Sequence, residues 1–217
     1  MPEHADDRAI PLIGALRDDV GMPLLTSPTI APGSLSQSEH PSIPVGQGAV
    51  LRPWKLTDAP AVMQAFADPD IQRWHVRVVD TLEEAREWIS VRQSGWTEES
   101  QLNWALADIE SDELLGRVSI KVLDHGDGLA GAAYWMLPSA RGRGLCTSAV
   151  TVVCRWAFEV AGFHRIELDH STDNEASCRV AVKSGFREEG IRRAAALHAD
   201  GWHDMHVHAL LASDERP

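Results

Sequence analysis

The sequence predicts one mixed α/β domain that follows an N-terminal tail. After residue 48, segments with strand and helix periodicity follow one another in the order β-α-α-β-β-β-α-β-α-β-β. That order lacks the regular strand–helix alternation of a doubly wound sheet. Hydrophobic residues make up 44% of the 217 residues, which is typical of a globular protein with a conventional core.

Residues 1–48 differ in composition from the rest of the chain. Seven of the twelve prolines fall here, and Ser, Thr and Gly supply much of the remainder. Such a segment buries too little apolar surface to offset the conformational entropy that ordering would cost. We therefore predict a flexible or draped tail over 1–48 and a folded domain over 49–213. The apolar patch at 10–16 is the part of the tail best suited to docking on a surface.

The first half of the domain begins with a strand at 49–56. The helix at 57–74 opens with a Thr or Asp cap and is disturbed at Pro69. A second helix has apolar residues at helical spacing over 81–96, and strands follow at 101–110 and 113–124.

The second half alternates between strands and helices, and glycines mark the helix ends. Gly162 and Gly185 close the two helices, and Asp173 or Asn174 caps the second one. The elements are a strand at 129–138, a helix after the glycines of ARGRGLCTSAV (140–150), a strand at 164–172, a helix after Asn174, and two antiparallel strands joined around Asp200-Gly201.

The net charge indicates which partners to expect, and the cysteines indicate the cellular compartment. A net charge of −12 argues against a nucleic-acid partner, which needs a basic surface. It favours cationic partners, or it serves only solubility. The sequence contains no run of eighteen apolar residues, so we expect no membrane span, and we expect no signal peptide because the first residues lack a basic region and a long apolar run. Three scattered cysteines suit a reducing compartment, so we expect a cytoplasmic protein. Its expected oligomeric state is a monomer or a homodimer.

Two glycines and two arginines stand where the strand at 129–138 meets the next helix. A helix N-terminus offers free N–H groups to an anion, and glycine lets the backbone approach it closely. The Rossmann fingerprint is excluded because no third glycine follows, and the Walker pattern is excluded because no Gly-Lys-Ser/Thr is present. A plain capped turn remains the alternative to a phosphate site.

The longer pattern is more specific. Arg141-Gly142-Arg143-Gly144-Leu145-Cys146 resembles the R/Q-x-x-G-x-G/A motif of the GNAT superfamily of acetyl-CoA-dependent N-acetyltransferases. The neighbouring stretches YWMLP (134–138), TDNEAS (172–177) and SGFREEG (184–190) resemble the same family, in particular its RimJ/RimL-like branch, which acetylates ribosomal-protein N-termini. The resemblance, over 49–212, implies a mixed, mostly antiparallel central sheet with splayed fourth and fifth strands and helices on both faces.

The resemblance also implies an acetyl-CoA site. The amides from Arg143 through Thr147 would bind the pyrophosphate, with Arg141 nearby, and the main chain of Met136 and Leu137 would pair with the pantetheine arm. Cys146 departs from the usual Gly or Ala. The residues expected to contact the cofactor are Met136, Leu137, Arg141, Gly142, Arg143, Gly144, Leu145, Cys146, Thr147, Asn174 and Ser177.

Acetyl transfer needs an oxyanion donor, a proton for the leaving thiolate and a neutral amine. We assign the first role to the Met136 N–H and the second, by family analogy, to Ser177, with Tyr134 as the alternative. Some relatives carry a Glu near the position of Ala196, so the general base is missing here. A histidine, water or an already neutral acceptor would replace it, and the candidate histidines are His75, His170 and His198.

Two further groups of residues each have a functional and a structural interpretation. His206 and His208 share one face of the last predicted strand, while His203 points to the other; two ligands make an incomplete site, so no metal is expected. The tryptophans of the first half either line an apolar acceptor cleft or pack in the core. They are Trp54, Trp74, Trp88, Trp96 and Trp104.

The resulting hypothesis is an acetyl-CoA-dependent N-acetyltransferase whose acceptor is a primary amine, in the first place a peptide or protein N-terminus. The alternatives are acetylation of a small amine such as an antibiotic or metabolite, and a non-catalytic acyl-CoA-binding sensor. A phosphate-binding turn in an unrelated α/β protein is the third possibility.

Overall fold

The computed structural model describes residues 25–215, which form five helices and eight strands. Short 3-10 turns lie at Leu56–Asp58 and Pro138–Ala140. No helix within these residues is long and apolar enough to cross a membrane. The strands are β1 (Ile43–Gly46), β2 (Ala49–Arg52), β3 (Gln101–Asp108), β4 (Leu114–Asp124), β5 (Leu129–Met136), β6 (Arg165–Ser171), β7 (Arg187–His198) and β8 (Gly201–Leu211). The helices are α1 (Ala59–Ala67), α2 (Pro69–His75), α3 (Leu82–Thr97), α4 (Leu145–Glu159) and α5 (Glu175–Lys183).

All eight strands belong to one sheet, in the order β1-β2-β3-β4-β5-β6-β8-β7. Every neighbouring pair is antiparallel except β5 and β6, which are parallel. These two strands pair only from Leu129–Arg165 to Gly131–Glu167 and separate beyond that point. They are the predicted fourth and fifth strands, so the mixed, mostly antiparallel sheet with a splay at this place is confirmed.

Helices cover both faces of the sheet and create two hydrophobic cores. On one face α4 packs on the central strands and forms the first core, where Trp104 and Val153 are fully buried; the core on the opposite face is the second core. On the other face α1 and α3 pack on the sheet, and Val62 and Ile89 are fully buried. Because burial of apolar side chains is the main favourable term in folding, these two cores stabilise the packing of the helices on the sheet.

Residues 25–48, the second half of the predicted tail, lie against the domain. Ile43–Gly46 forms β1 at the edge of the sheet, a strand that the sequence did not predict because Pro44 and Gly46 interrupt its pattern. Ile30 and Leu35 are buried in the core. The patch at 10–16 lies outside the described residues.

Polar contacts fix this segment as well. The Glu99 carboxylate accepts hydrogen bonds from the backbone N–H groups of Gly33 and Ser36, both at 2.7 Å. The indole N–H groups of Trp96 and Trp104 donate to the backbone carbonyls of residues 38 and 41. The described part of the segment is therefore draped over the first core.

The first helical region, predicted over 57–74 with a disturbance at Pro69, is interrupted at that proline. It is divided into α1 and α2, because Asp68 adopts an extended conformation before Pro69 and its side chain accepts from the Ile71 N–H at 3.0 Å. This is an N-cap followed by proline at the first helical position. The division turns α2 toward the splayed end of the sheet.

Candidate active site

A cleft of about 720 Å³ lies where β5 and β6 separate. Its walls come from α2, the end of β5, the turn at 141–144 (the glycine turn), the first residues of α4, and residues along the length of α5. Of the predicted site residues, ten line it: Tyr134, Met136, Arg141, Gly142, Gly144, Leu145, Cys146, Thr147, Asn174 and Ser177.

The glycine turn leaves room and free donors for an anion. Gly142 and Gly144 have φ of 73° and 77°, the left-handed region that glycine adopts without cost. A Cβ built at either position would meet no protein atom within 4 Å, so the space beside the turn opens into the cleft. The first helical hydrogen bond of α4 runs from the Ser148 N–H to the Gly144 carbonyl. The N–H groups that precede it carry the positive end of the helix dipole, which suits a pyrophosphate.

Arg141 has a different environment from the one predicted. Its Nε donates to the Met136 carbonyl at 3.1 Å, and its two Nη atoms pair with Asp68 at 2.7 Å and Asp70 at 2.9 Å. Burial alone would raise the pKa of Asp68, but hydrogen bonds from Arg141 and Ile71 lower it overall. The guanidinium thus fixes the turn to α2, while Arg143, the next arginine, is exposed.

The main chain of β5 presents alternate residues to the splay. The Leu137 N–H donates to the Leu115 carbonyl on β4 at 2.9 Å, and the Leu137 side chain is buried in the second core. Because hydrogen bonds alternate along an antiparallel pair, the N–H of Met136 points away from β4 into the splay. Met136 therefore has the main-chain direction expected for a pantetheine or oxyanion donor, and Leu137 does not.

Tyr134 and Ser177 meet across the splay. The Tyr134 hydroxyl lies 2.7 Å from Ser177 Oγ and 3.3 Å from the Ser177 carbonyl, so its single proton can be donated to either oxygen. Burial raises the pKa of the Tyr134 phenol, so it stays protonated at neutral pH. Asn174 caps α5 by accepting from the Ser177 N–H at 3.0 Å. This cap fixes the first turn of α5 and with it the position of the serine hydroxyl.

Of the three histidines considered as a base, only His75 lines the cleft. Burial and the positive charge of the nearby Arg117 lower its pKa to about 4, although a hydrogen bond with the Tyr134 backbone acts in the opposite direction. His170 is buried on β6, where its ring nitrogens face the Ser171 carbonyl at 2.8 Å and His208 Nε2 at 3.1 Å. His198 lies at the end of β7, with its ring 5.6 Å from that of Trp74. Neither position places a proton acceptor in the cleft.

Cys146 lies in the first turn of α4 and contributes to the cleft wall. Burial raises the pKa of its thiol to about 12. The reactive thiolate is therefore scarce at neutral pH, and the small thiol is accommodated where the family motif has Gly or Ala.

The structure adds site residues that sequence reasoning missed. Asp70 and Ile71 of α2 line the cleft, as do Arg179 and Lys183 of α5. The two basic residues follow Glu175 at intervals of four, so the three share one face of the helix. This four-residue spacing is the sequence feature from which Arg179 and Lys183 could have been predicted as site residues. No sequence feature predicts Asp70 as a site residue, because its position in the cleft depends on the turn between α1 and α2.

The tryptophans divide between the two interpretations. Trp54 and Trp88 pack edge to face in the second core, with ring centroids 5.1 Å apart. Trp96 and Trp104 belong to the first core. Trp74 lines the cleft, beside His75 on α2.

Comparison with known proteins gives the family. Residues 49–187 match the model described as the acetyltransferase (GNAT) domain. The chain belongs to the GNAT family of acetyltransferases. It is 30% identical over 176 residues to the Bacillus subtilis protein named "Probable N-acetyltransferase YjcK", which covers 78% of this chain and 97% of the relative.

One further relative and one solved structure with a similar fold are named for ribosomal proteins. The Escherichia coli ribosomal-protein-serine acetyltransferase is 24% identical over 106 residues, 49% of this chain and 59% of the relative. The structure of the ribosomal-protein-S5-alanine acetyltransferase from Vibrio fischeri superposes with a TM-score of 0.72 at 20% identity, covering 81% of this chain and 99% of that one. The structural match shows a shared fold.

The protein is thus an N-acetyltransferase, and GNAT acetyltransferases take the acetyl group from acetyl-CoA. The cleft residues are compatible with that co-substrate. The open space beside Gly142 and Gly144 and the free N–H groups at the start of α4 suit its phosphates, and the splay leaves the main chain of Met136 accessible to a thin, extended arm.

Proposed function

We propose that this N-acetyltransferase acetylates the α-amino group of a peptide or protein N-terminus. The observation that carries the proposal concerns histidine: among residues 25–215 only His75 lines the cleft, and its pKa is lowered to about 4, so no imidazole there is tuned to accept a proton near pH 7. Ala196, near which some relatives have a Glu, lies on β7 opposite His203. An acceptor that is already partly neutral at pH 7 fits such a site best.

The ordinary pKa values of amines then favour one class of acceptor. An α-amino group with a pKa of about 7.8 is neutral in roughly one molecule in seven at pH 7. A lysine side chain with a pKa of about 10.4 is neutral in roughly one in 2,500. Without a histidine tuned to remove the proton, an N-terminus therefore has an advantage of a few hundredfold in the fraction of reactive neutral amine over lysine and most small alkylamines.

The cleft also has charges that suit a cationic chain end. Asp70 on α2 and Asp173 and Glu175 at the start of α5 line it. Asp70 and Glu175 are paired with Arg141 and Arg179, so Asp173 is the carboxylate best placed to attract an ammonium group before it loses its proton. The relatives named for acetylation of ribosomal proteins support the same class of acceptor.

The chemistry is assigned to groups of this chain. The amine nitrogen bonds to the thioester carbonyl carbon, the carbon–sulfur bond breaks, and the Met136 N–H donates to the oxyanion in between. The sulfur receives a proton from the Ser177 hydroxyl, which regains one from Tyr134, its neighbour at 2.7 Å. The proton of the ammonium leaves to water, and Tyr134 is reprotonated from solvent.

The test uses one peptide in three forms: with free N-terminus and free lysine, with the N-terminus blocked, and with the lysine blocked. Mass spectrometry locates the acetyl group after incubation with acetyl-CoA. We expect modification at the free N-terminus, with a rate that rises with pH and levels off near the pKa of the α-amine. Acetylation of lysine or of small amines alone would overturn the peptide proposal, and thiol release with none of these acceptors would leave the sensor as the better account.

A further inference from the structure

A second group of chemically reactive side chains lies behind the cleft, where α5 covers β6 and β8. It consists of His170, Cys178, His206 and His208, and we call it the histidine–cysteine cluster. Each residue offers one ligand atom, and the four atoms all lie within 4.8 Å of one another. None of the four has a role in the proposed acetyl transfer.

The sheet register brings the three histidines together. His206 and His208 are two residues apart on β8, so they share one face of the strand, as the sequence predicted. His170 on β6 is the direct cross-strand partner of His206, which puts its side chain on that same face. The two histidines judged an incomplete site from sequence therefore gain a third from the neighbouring strand.

The fourth member comes from the helix above. Cys178 lies in the first turn of α5, immediately after Ser177. The thiol approaches the histidines from above the sheet, so the four ligand atoms surround a point instead of lying in a row. His170 and His208 are buried, whereas Cys178 and His206 are half-buried and leave a route for an ion from solvent.

The distances are close to those of a tetrahedral site. Two Zn–N bonds of about 2.05 Å at the tetrahedral angle separate their nitrogens by roughly 3.3 Å, and a Zn–N and a Zn–S bond separate theirs by roughly 3.6 Å. The Nε2 atoms of His170 and His208 are 3.1 Å apart. The remaining pairs close to such values with side-chain movements of about 1 Å or less, given the 4.8 Å limit on every pair.

The surroundings of His170 orient it as a ligand. Its Nδ1 lies 2.8 Å from the Ser171 carbonyl, so this nitrogen carries the proton and the lone pair is on Nε2, which faces the cluster. Metal-bound histidines typically donate their other ring N–H in this way. The Nδ1 atom of His206 is buried without a hydrogen-bond partner among residues 25–215, which is costly for a purely structural histidine.

We propose that the histidine–cysteine cluster is a Zn²⁺ site with three imidazole ligands and one thiolate. Zinc prefers nitrogen and sulfur ligands in tetrahedral geometry, and four protein ligands make a closed, structural site. Binding converts the Cys178 thiol to a thiolate, and its proton passes to the buffer. The ion ties α5 to β6 and β8 directly behind the Tyr134–Ser177 pair, so it stabilises the fold and the helix that carries the serine.

The test uses the full chain, stripped of metal with a chelator and titrated with Zn²⁺ and with Co²⁺ as a spectroscopic substitute. We expect one equivalent of either ion, visible absorption bands of tetrahedral Co²⁺ and a near-ultraviolet thiolate-to-cobalt band. We expect Zn²⁺ to raise the melting temperature and Mg²⁺ to leave it unchanged, since a hard cation prefers oxygen ligands.

Matched variants make the assignment specific. Cys178→Ser removes the thiolate band, and both Cys178→Ser and His206→Gln weaken Zn²⁺ binding by about tenfold or more. Cys146→Ser and His203→Gln, which change a thiol outside the cluster and a histidine on the other face of β8, keep one equivalent and the full spectrum. Melting of the metal-free variants shows that they are folded. The proposal fails if the wild type takes up no ion stoichiometrically, or if Cys178→Ser gives the wild-type cobalt spectrum.

Discussion

The hydroxyl oxygen of Tyr134 lies 2.7 Å from Oγ of Ser177, and this contact connects β5 to α5 across the open part of the sheet. One residue is held by a strand and the other by the capped first turn of a helix. Two hydroxyl groups in series can therefore deliver a proton to one point at the mouth of the splay. A strand and a helix on opposite sides of the gap give the pair its rigidity.

The first prediction concerns this pair. Ser177→Ala lowers kcat by about a hundredfold, because the leaving thiolate loses its proton donor. Tyr134→Phe lowers kcat by less, because the serine hydroxyl remains and can exchange protons with water. The double variant is close to Ser177→Ala, since the two residues act as one unit. Initial-rate measurements check this, and Ser90→Ala on the exposed side of α3 is the control.

An equal decrease in kcat for Ser177→Ala and Ser90→Ala would show that Ser177 takes no part in the chemical step. Affinity for acetyl-CoA, measured by calorimetry, stays within about threefold of wild type in Ser177→Ala, because we expect the phosphates to bind at the start of α4 and not at α5. A complete loss of affinity would mean that the serine shapes the cofactor site and not the chemistry.

A second prediction separates the two arginines of the glycine turn. Arg141→Ala breaks the contacts with Asp68 and Asp70, so α2 loosens and KM for the acceptor rises more than KM for acetyl-CoA. Arg143→Ala removes an exposed cation beside the phosphates, so KM for acetyl-CoA rises by about three- to fivefold and the melting temperature is unchanged. The reverse pattern in steady-state kinetics would show that Arg141 binds the phosphates.

A third prediction follows from Glu99, which is 6% exposed and accepts two backbone hydrogen bonds. Burial alone would raise its pKa, but the bonds from Ser36 and Gly33 lower it below the ordinary value. Glu99→Gln loses about 1–3 kcal/mol of unfolding free energy at pH 7. A lowered pKa stabilises the fold above the unfolded-state value near 4.3, and this contribution disappears as pH falls through the folded-state pKa.

Denaturant unfolding of wild type and Glu99→Gln between pH 7 and pH 3 measures this effect. The difference between the two proteins is largest at neutral pH and narrows on acidification. Glu98→Gln, at the exposed neighbouring position, is the control and stays within about 0.5 kcal/mol of wild type. A difference independent of pH would mean that the carboxylate charge does not hold residues 33–36 on the domain.

A fourth prediction concerns Cys146, whose pKa is raised to about 12 by burial. Because the thiolate is the nucleophile, alkylation of this thiol is slow at pH 7 and accelerates as pH rises toward the pKa. Acetyl-CoA slows it further by covering the cleft wall. Peptide mapping after timed treatment with iodoacetamide measures the rate at each cysteine. Rapid modification at neutral pH would show an exposed or activated thiol.

Much of the architecture was accessible from sequence because it depends on local periodicity and turn chemistry. The strand–turn–helix around Gly142 and Gly144 and the Asn174 cap are encoded within a few residues. β1 was missed because Pro44 and Gly46 mask its pattern, although pairing with β2 stabilises it. Propensity was overridden there by tertiary contacts.

The site can be predicted from the sequence only where its residues lie close together in one continuous stretch of the chain. The sequence does not reveal the contacts of Arg141 with Asp68 and Asp70, because they depend on how α2 turns after Pro69. His170 was considered as a base because the sequence does not give the register that places it opposite His206. Contacts between residues far apart in the chain require strand order and register, and those follow from packing the whole sheet.

The measurement that tests the site most directly is thermal unfolding of wild type, Gly144→Glu and Gly162→Glu with acetyl-CoA, with free phosphate and NAD as control ligands. Both glycines have positive φ and no protein atom near a built Cβ, but Gly162 follows the far end of α4. At a hundredfold excess over Kd, binding adds about 2.7 kcal/mol, a shift of roughly 5–10 °C for a domain of this size.

We predict that acetyl-CoA alone shifts wild type and Gly162→Glu, and that Gly144→Glu gives no shift because its bulk and negative charge occupy the phosphate position. An equal shift in Gly144→Glu would contradict the assignment of the glycine turn as the acetyl-CoA site.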